Sequence, residues 1–331
     1  MKDTILFPAI GPTRYTLPRT VVTNDDLMRE HPQWDMGRVA RRTGVTSRHI
    51  AAPDETALTL AVDAASSLLA DSELQPKDVG GVVVCTQTPE YRLPANAPLA
   101  HARLGLSANA LALDLSLACS GFPYSVAVAG GLLPATPDAP ILVLTGDTYS
   151  RLIAPDDRST RSVFGDGAAA TLILPPSSAA AGDLQVLDAA FGTNGHDAAR
   201  FMVSGGGAAK GFASEQTIEM DGVGMLAFVR DAIPATVVQL LERNQLGVED
   251  VDLFVFHQAS TLALEALAGD LGIAADRLYI DMADTGNLVS ASIPVCLRRA
   301  ELAGRLQSGM RVVLAGFGVG LSWGALLTSV K

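Results

Sequence analysis

Two stretches of this chain about 170 residues apart repeat one pattern, and that repeat constrains the fold more than any single motif. Asp78-Val-Gly-Gly-Val-Val-Val-Cys-Thr-Gln is echoed by Asp250-Val-Asp-Leu-Phe-Val-Phe-His-Gln. Each is an acidic turn leading into a short β-rich run, as a buried strand requires. Leu104-Gly-Leu-Ser-Ala-Asn-Ala-Leu-Ala-Leu-Asp parallels Leu271-Gly-Ile-Ala-Ala-Asp-Arg-Leu-Tyr-Ile-Asp. Cys119-Ser-Gly-Phe-Pro and Asn287-Leu-Val-Ser-Ala-Ser-Ile-Pro then each open a helical pattern, and Ile141-Leu-Val-Leu-Thr-Gly-Asp parallels Arg311-Val-Val-Leu-Ala-Gly-Phe. Strand, helix, strand, helix, strand thus occurs twice, which predicts sheets with helices packed on their faces. The expected architecture is a layered α/β fold of two similar halves, 1–176 and 177–331. The break falls in Pro175-Pro-Ser-Ser-Ala-Ala-Ala-Gly, a connection by composition. The repeat sets Cys119 and Asn287 at equivalent helix starts. With approximate two-fold symmetry they converge with His257, which ends the strand matching the one near Cys85.

The Cys119 turn carries a chemical signal of its own. A strand-like run over 111–118 gives way abruptly to a helical one, and Pro123 suits the first helical turn, where a missing N–H costs nothing. A cysteine at a helix N-terminus meets unpaired N–H groups and the positive dipole end, which favour a thiolate nucleophile. The plainer reading, a small buried hydrophobe, fits most free cysteines. His257 at a strand end and Asn287 after Gly286 likewise have structural readings, as a core histidine and as a turn or cap residue.

Composition narrows the class. Of 331 residues, 48% are hydrophobic and 18% charged, which marks a compact globular chain. Cys85, Cys119 and Cys296 stand far apart without a CxxC spacing, so neither a disulfide scaffold nor a zinc site is expected, and Cys85 and Cys296 read as packing residues. The first ten residues lack a signal-peptide pattern, and no uninterrupted apolar run reaches the roughly 18 residues of a membrane span, so a soluble cytoplasmic protein is expected. The net charge of −11 opposes nucleic-acid binding. Arg38, Arg41, Arg42 and Arg48 form the densest basic cluster, either a solvated turn or a contact for phosphate or another acidic group. Gly316-Phe-Gly-Val-Gly-Leu runs into apolar sequence and the chain end, so it is no dinucleotide loop. Phe164-Gly-Asp-Gly reads as a structural turn with Asp166 orienting backbone. His196 reads as a surface residue, and His31, His49 and His101 carry no signal.

Cys119 in Asp-Leu-Ser-Leu-Ala-Cys-Ser-Gly-Phe, His257 in Val-Phe-His-Gln-Ala-Ser and Asn287 in Gly-Asn-Leu-Val-Ser-Ala-Ser-Ile-Pro together resemble a thiolase-fold condensing enzyme, most closely β-ketoacyl-acyl-carrier-protein synthase III. Arg42-Thr-Gly-Val-Thr-Ser-Arg-His-Ile-Ala-Ala-Pro, Phe164-Gly-Asp-Gly-Ala-Ala-Ala and Gly316-Phe-Gly-Val-Gly-Leu-Ser-Trp-Gly extend the likeness nearly end to end. The resemblance implies a thiolase-like fold with two αβαβα halves in five layers and pseudo-two-fold symmetry. It also implies an acyltransferase in which Cys119 takes an acyl group from acyl-CoA. His257 and Asn287 assist decarboxylation of a malonyl thioester and its Claisen condensation to a β-ketoacyl thioester, in fatty acid or specialised polyketide-type biosynthesis. Backbone N–H groups of Cys119 and Val319 would form the oxyanion hole.

By the same resemblance Arg42 and Arg158 bind coenzyme A, and Val163, Phe317 and Leu93 shape the acyl pocket, Leu93 by reaching into a neighbouring subunit. No cofactor or metal is implied, and the expected partners are the acyl-CoA, a malonyl thioester on an acyl carrier protein, and a second copy of the chain. The sequence departs from the family at several places. Arg38 stands where a tryptophan stacks on adenine, with Trp34 as its nearby substitute. Ser260, Leu262 and Ala227 replace an asparagine, an arginine and a lysine, and loss of those basic positions weakens or relocates carrier docking and favours a specialised pathway. Two other readings are simple acyl transfer to an oxygen or nitrogen nucleophile and a non-catalytic partner of another synthase.

Overall fold

The computed structural model describes residues 7–136 and 139–331; the first six residues of the segment read above for a signal peptide lie outside these. In the first half, β1 (Ala9–Thr16) precedes β2 (Thr20–Thr23), α1 (Asn24–Glu30), α2 (Met36–Thr43) and β3 (Ser47–Ile50). There follow α3 (Ala57–Asp71), β4 (Gly81–Cys85), α4 (Asn96–Leu104), β5 (Leu111–Leu115), α5 (Gly121–Leu132), β6 (Ile141–Asp147), α6 (Arg158–Arg161) and β7 (Gly167–Leu174). The second half runs β8 (Leu184–Thr193), β9 (Phe201–Val203), β10 (Ile218–Met220), α7 (Gly222–Arg243) and β11 (Leu253–Phe256). It ends with α8 (Thr261–Leu271), α9 (Ser292–Leu302), β12 (Arg311–Gly318) and β13 (Ser322–Val330).

Strand order shows the repeat in three dimensions. One half reads β1-β7-β6-β4-β5 and the other β8-β13-β12-β11, and a bridge from Phe254 to Leu278 marks the place that β5 fills in its half. The two join edge to edge where Ala9 pairs with Gln185 and Ile10 with Leu184. Strands such as Gly81–Cys85 and Leu253–Phe256 are apolar and buried at every position, because both faces of each half-sheet are covered by helices. Between the half-sheets lie α5 and α9, whose Phe122, Val126, Ile293 and Leu297 share one core with Val83, Val143, Val255 and Leu314. Helices α3 and α4 cover one outer face, and α7 and α8 the other. The result is the expected five-layer thiolase-like sandwich.

Helix α7 is long and apolar enough to cross a membrane by length and composition. Arg230 and Asp231 interrupt it, however, and Val229, Ile233, Val237, Leu240 and Leu241 face the core.

One expectation from the repeat is corrected. Helices α5 and α9 begin at Gly121 and Ser292, each with a proline at its third position, Pro123 and Pro294. The residue matching Cys119 is therefore Ser290, and Asn287 lies three residues earlier. Register extends the correspondence. Val82 pairs with Leu142 and Leu253 with Val312, the second residues of β6 and β12, so Thr86 is the counterpart of His257.

Candidate active site

Cys119 sits in the turn between β5 and α5, closed by the Gly121 N–H donating to Ala118 carbonyl at 2.8 Å, and it is buried. The end of β12 approaches it so closely that only glycine fits at 318. A methyl there would lie 2.9 Å from the sulfur. Backbone N–H groups of Cys119 and Val319 point at that sulfur and favour its anion, while burial and then the Asp147 carboxylate push its pKa up. The helix start does not by itself produce the resting thiolate expected from sequence, because desolvation outweighs it.

His257 is the first residue after β11, anchored by its N–H donating to the Ala315 carbonyl at 2.8 Å, with Phe317 edge-on at 5.5 Å between ring centroids. Burial drives its pKa down to about 3, and the Val289 backbone offsets this only in part, so the imidazole is neutral at physiological pH. Its Nδ1 has no hydrogen-bond partner among the described residues.

Asn287 is fixed on both sides of its peptide. Its N–H donates to the Val163 carbonyl at 2.9 Å and its carbonyl accepts from the Gly165 N–H at 3.1 Å. The side-chain Oδ1 accepts the Val289 N–H at 2.9 Å and the Ser292 hydroxyl at 3.5 Å. With its acceptor occupied, the amide has its Nδ2 donors left for the cavity.

Cys119, His257 and Asn287 thus line one cavity of about 250 Å³, whose other walls are mostly apolar and include Phe201, Met220, Met225 and Val229. Val163 and Phe317 line it, and so do Arg42 and Leu262. A wider recess of about 540 Å³ adjoins it through the shared Arg42, Thr43 and Val163, and Trp34 and Arg158 border that recess.

Other expected site residues fall elsewhere. Leu93 is 87% exposed and outside the cavity of its own chain. Arg38 lies on the exposed face of α2 and borders neither hollow. Trp34 has one face covered by His31, parallel at 4.0 Å, and is buried with Leu27 and Met36, so it does not offer two free faces. Arg48 does not belong to the exposed basic cluster. It is wholly buried and spends its guanidinium on the Val22 and Ser162 carbonyls and the Asn24 side chain. Asp166 orients backbone as read from sequence, accepting N–H groups from Ala51 at 2.8 Å and Ser150 at 3.0 Å. His196 is exposed, and Cys85 and Cys296 are buried. Sequence reading missed Phe201, Met220 and Met225. The only cue was the Asp221 helix cap, which accepts the Gly224 N–H at 2.9 Å and starts α7 beside the cavity.

Residues 113–195 match the family described as 3-oxoacyl-[acyl-carrier-protein] synthase III, and residues 241–330 match its C-terminal part. β-Ketoacyl-[acyl-carrier-protein] synthase III of Nitratidesulfovibrio vulgaris strain DP4 is 34% identical over 319 residues, covering 94% of this chain and 95% of that protein. The chain belongs to the β-ketoacyl-acyl-carrier-protein synthase III family. The Pseudomonas aeruginosa LESB58 synthase is 38% identical over 313 residues, with 94% of this chain and 92% of the relative covered. Among solved structures, a 3-oxoacyl-(acyl-carrier-protein) synthase III superposes with a TM-score of 0.92 at 35% identity, over 98% of this chain and 99% of that one. A priming β-ketosynthase from a polyketide biosynthetic pathway reaches 0.88 at 27% identity, covering 98% and 97%. The chain shares the thiolase-like fold of these condensing transferases.

Proposed function

We propose that this chain catalyses decarboxylative Claisen condensation between an acyl group carried on Cys119 and a malonyl thioester, in fatty acid or polyketide-type biosynthesis. The observation that carries this reading is the meeting of a buried thiol, a neutral imidazole and an amide with free N–H donors in one apolar cavity. The half 1–176 supplies the nucleophile and the half 177–331 the two donors. No resident cofactor or metal takes part in the proposed reaction, and coenzyme A enters only as a thioester.

In loading, Cys119 Sγ attacks the carbonyl carbon of an acyl-CoA while His257 takes the thiol proton. The tetrahedral oxyanion receives the Cys119 and Val319 N–H groups, each such donor being worth about 3 kcal/mol. Collapse expels coenzyme A thiolate, which recovers the proton from His257. A malonyl thioester then loses carbon dioxide, and the electron pair of the broken C–C bond forms an enolate. His257 N–H and Asn287 Nδ2 donate to its oxygen, a task a neutral imidazole can perform. The enolate carbon attacks the acyl-Cys119 carbonyl, the Cys119 thiolate leaves with release of the β-ketoacyl thioester, and a proton from solvent restores the thiol.

The surface supports thioesters that arrive on phosphate-bearing carriers. Arg38, Arg41, Arg42 and Arg158 are the only arginines among the described residues whose guanidinium makes neither a hydrogen bond nor an ion pair, and Arg42 and Arg158 border the wide recess. In a chain of net charge −11 this is an unclaimed basic face for coenzyme A phosphates and an acidic carrier protein. Leu262, 49% exposed at the cavity, and the exposed Ala227 leave the opposite wall apolar, which favours docking on the α2 side. A homodimer is supported by β5, which ends the sheet with an unpaired edge and an exposed Leu111. Leu93 would then reach the partner's acyl pocket. A cytoplasmic setting suits the three free cysteines.

Carbon dioxide release tests the reading. Malonyl thioester supplied to the acylated protein should release one carbon dioxide per β-ketoacyl product. Acyl transfer to an oxygen or nitrogen acceptor without that release would replace it.

A further inference from the structure

Asp147 closes β6, is wholly buried, and has no part in the steps above. Its Oδ2 accepts the Ser290 hydroxyl at 2.6 Å and the Ser290 N–H at 3.3 Å. Its Oδ1 accepts the Gln87 N–H at 2.8 Å and the Thr86 hydroxyl at 3.3 Å. Every partner is a donor, the arrangement an ionised carboxylate requires. Ser290 and Thr86 are also the residues that the internal repeat matches to Cys119 and His257. The repeat thus pairs a thiol and an imidazole, one from each half, at a cavity with two hydroxyls, again one from each half, gripped by a carboxylate.

That grip lies one residue from a strained turn. Val289 has φ of +53°, a conformation that a β-branched side chain strongly avoids. Such a residue costs about 1–3 kcal/mol and persists only where its surroundings hold it. On its N-terminal side the turn is pinned by the Val163 and Gly165 bonds to the Asn287 peptide. At its centre the Val289 N–H donates to Asn287 Oδ1, which turns the Nδ2 donors to the cavity. On its C-terminal side both polar groups of Ser290 end on Asp147.

We propose that Asp147 is a positioning residue for the condensation step: by holding Ser290 it fixes the 287–290 turn, so that Asn287 presents its N–H donors to the malonyl enolate. This rests on the condensing reading above. The carboxylate bridges the two halves, and burial pushes its pKa up to about 7 despite the Ser290, Gln87 and Thr86 donors, so losing Ser290 makes the anion harder to keep. Acyl loading does not require Asn287 and should be spared.

The test compares Asp147→Asn, Ser290→Ala, Asn287→Ala and the Asp147→Asn/Asn287→Ala double variant. Acyl transfer to Cys119 in a single turnover is measured separately from condensation kcat. Loading should not fall by more than about 3-fold, because removing the Asp147 charge favours the Cys119 anion and leaves the loading donors in place. Condensation kcat should fall about 30-fold in Asp147→Asn and about 10-fold in Ser290→Ala, with KM little changed, as for loss of a transition-state donor. In the Asn287→Ala background Asp147→Asn should cost nothing further, because both act on one interaction. Additive losses in the double variant, or equal losses of loading and condensation, would overturn the proposal. Ser290→Ala, which keeps the backbone bond, serves the same comparison should Asp147→Asn fold poorly. An Asn287→Ala enzyme that condenses at the wild-type rate would instead remove the condensing reading and the proposal with it.

Discussion

Cys119 and Gly318 are packed so that a single added methyl on the glycine would lie 2.8 Å from the cysteine Cβ and 2.9 Å from its sulfur. The contact joins the nucleophile of one half to the strand end of the other, next to the Val319 N–H that faces the sulfur. Gly318→Ala must therefore displace the thiol, the strand end or both. We predict a loss of acyl loading of about 100-fold, since small misplacements of reacting groups are that costly. The stability cost should be about 1–3 kcal/mol, as for overpacking elsewhere. Single-turnover loading and thermal unfolding of the same variant measure the two effects. Loading at the wild-type rate would show that the close approach is not part of the catalytic geometry.

Acidification should leave the catalytic imidazole unchanged until the protein is far below neutral pH. His257 titrates near 6.5 when unfolded and about 3 when folded, so between those values the unfolded chain binds the extra proton. Its contribution to stability is full above about pH 6.5 and is lost as pH falls towards 3. Asp147 has the opposite sign. Its folded pKa of about 7 lies above the unfolded 3.8, so its contribution is present below 3.8 and lost as pH rises through 7. Over the shared window the two oppose each other, and His257→Gln should expose the Asp147 slope in denaturant titrations at several pH values. Condensation kcat should show an ionisation near pH 7 that belongs to Asp147 and is absent from Asp147→Asn, and none that belongs to His257. A titration near pH 6.5 that persists in Asp147→Asn would contradict the buried neutral ring.

Leu93 should set acyl-chain preference from across the proposed dimer interface. Leu93→Phe adds bulk on an exposed loop and should leave stability within about 0.5 kcal/mol, as at surface positions generally. The ratio of kcat/KM for short over long or branched acyl-CoAs should rise by about 10-fold, a value typical of one or two methylenes in an apolar pocket. An unchanged ratio would remove Leu93 from the pocket.

The unpartnered arginines should matter for carriers and not for chemistry. Arg38→Glu with Arg41→Glu should raise KM for a carrier-borne malonyl thioester about 10-fold and weaken its salt dependence, while a minimal thioester without phosphates is turned over as before. Equal effects on both substrates would point to distortion of α2.

Much of the fold was legible because its periodic signals are strong. The apolar runs of β4, β6, β11 and β12 are buried on both faces and read plainly as internal strands. Cys119, His257 and Asn287 were each marked by local motif, and the structure gathers them at one cavity. Alignment of the halves by motif failed at Asn287, because a turn of the second half places it three residues ahead of the true counterpart, Ser290. The role of Asp147 was equally hidden. Its partners Thr86 and Ser290 lie 61 and 143 residues away in sequence, and no local pattern reports such a pairing. Arg48 looked like a surface cation because sequence proximity to Arg42 says nothing of the three polar groups that receive it in the interior.

The most direct test of the account is intact-protein mass spectrometry after incubation with a panel of acyl-CoAs, with Cys119→Ala alongside. The account predicts a mass gain equal to one acyl group for a particular acyl class, absent from the variant. No adduct on the wild-type protein with any coenzyme A ester, or the same adduct on Cys119→Ala, would contradict it.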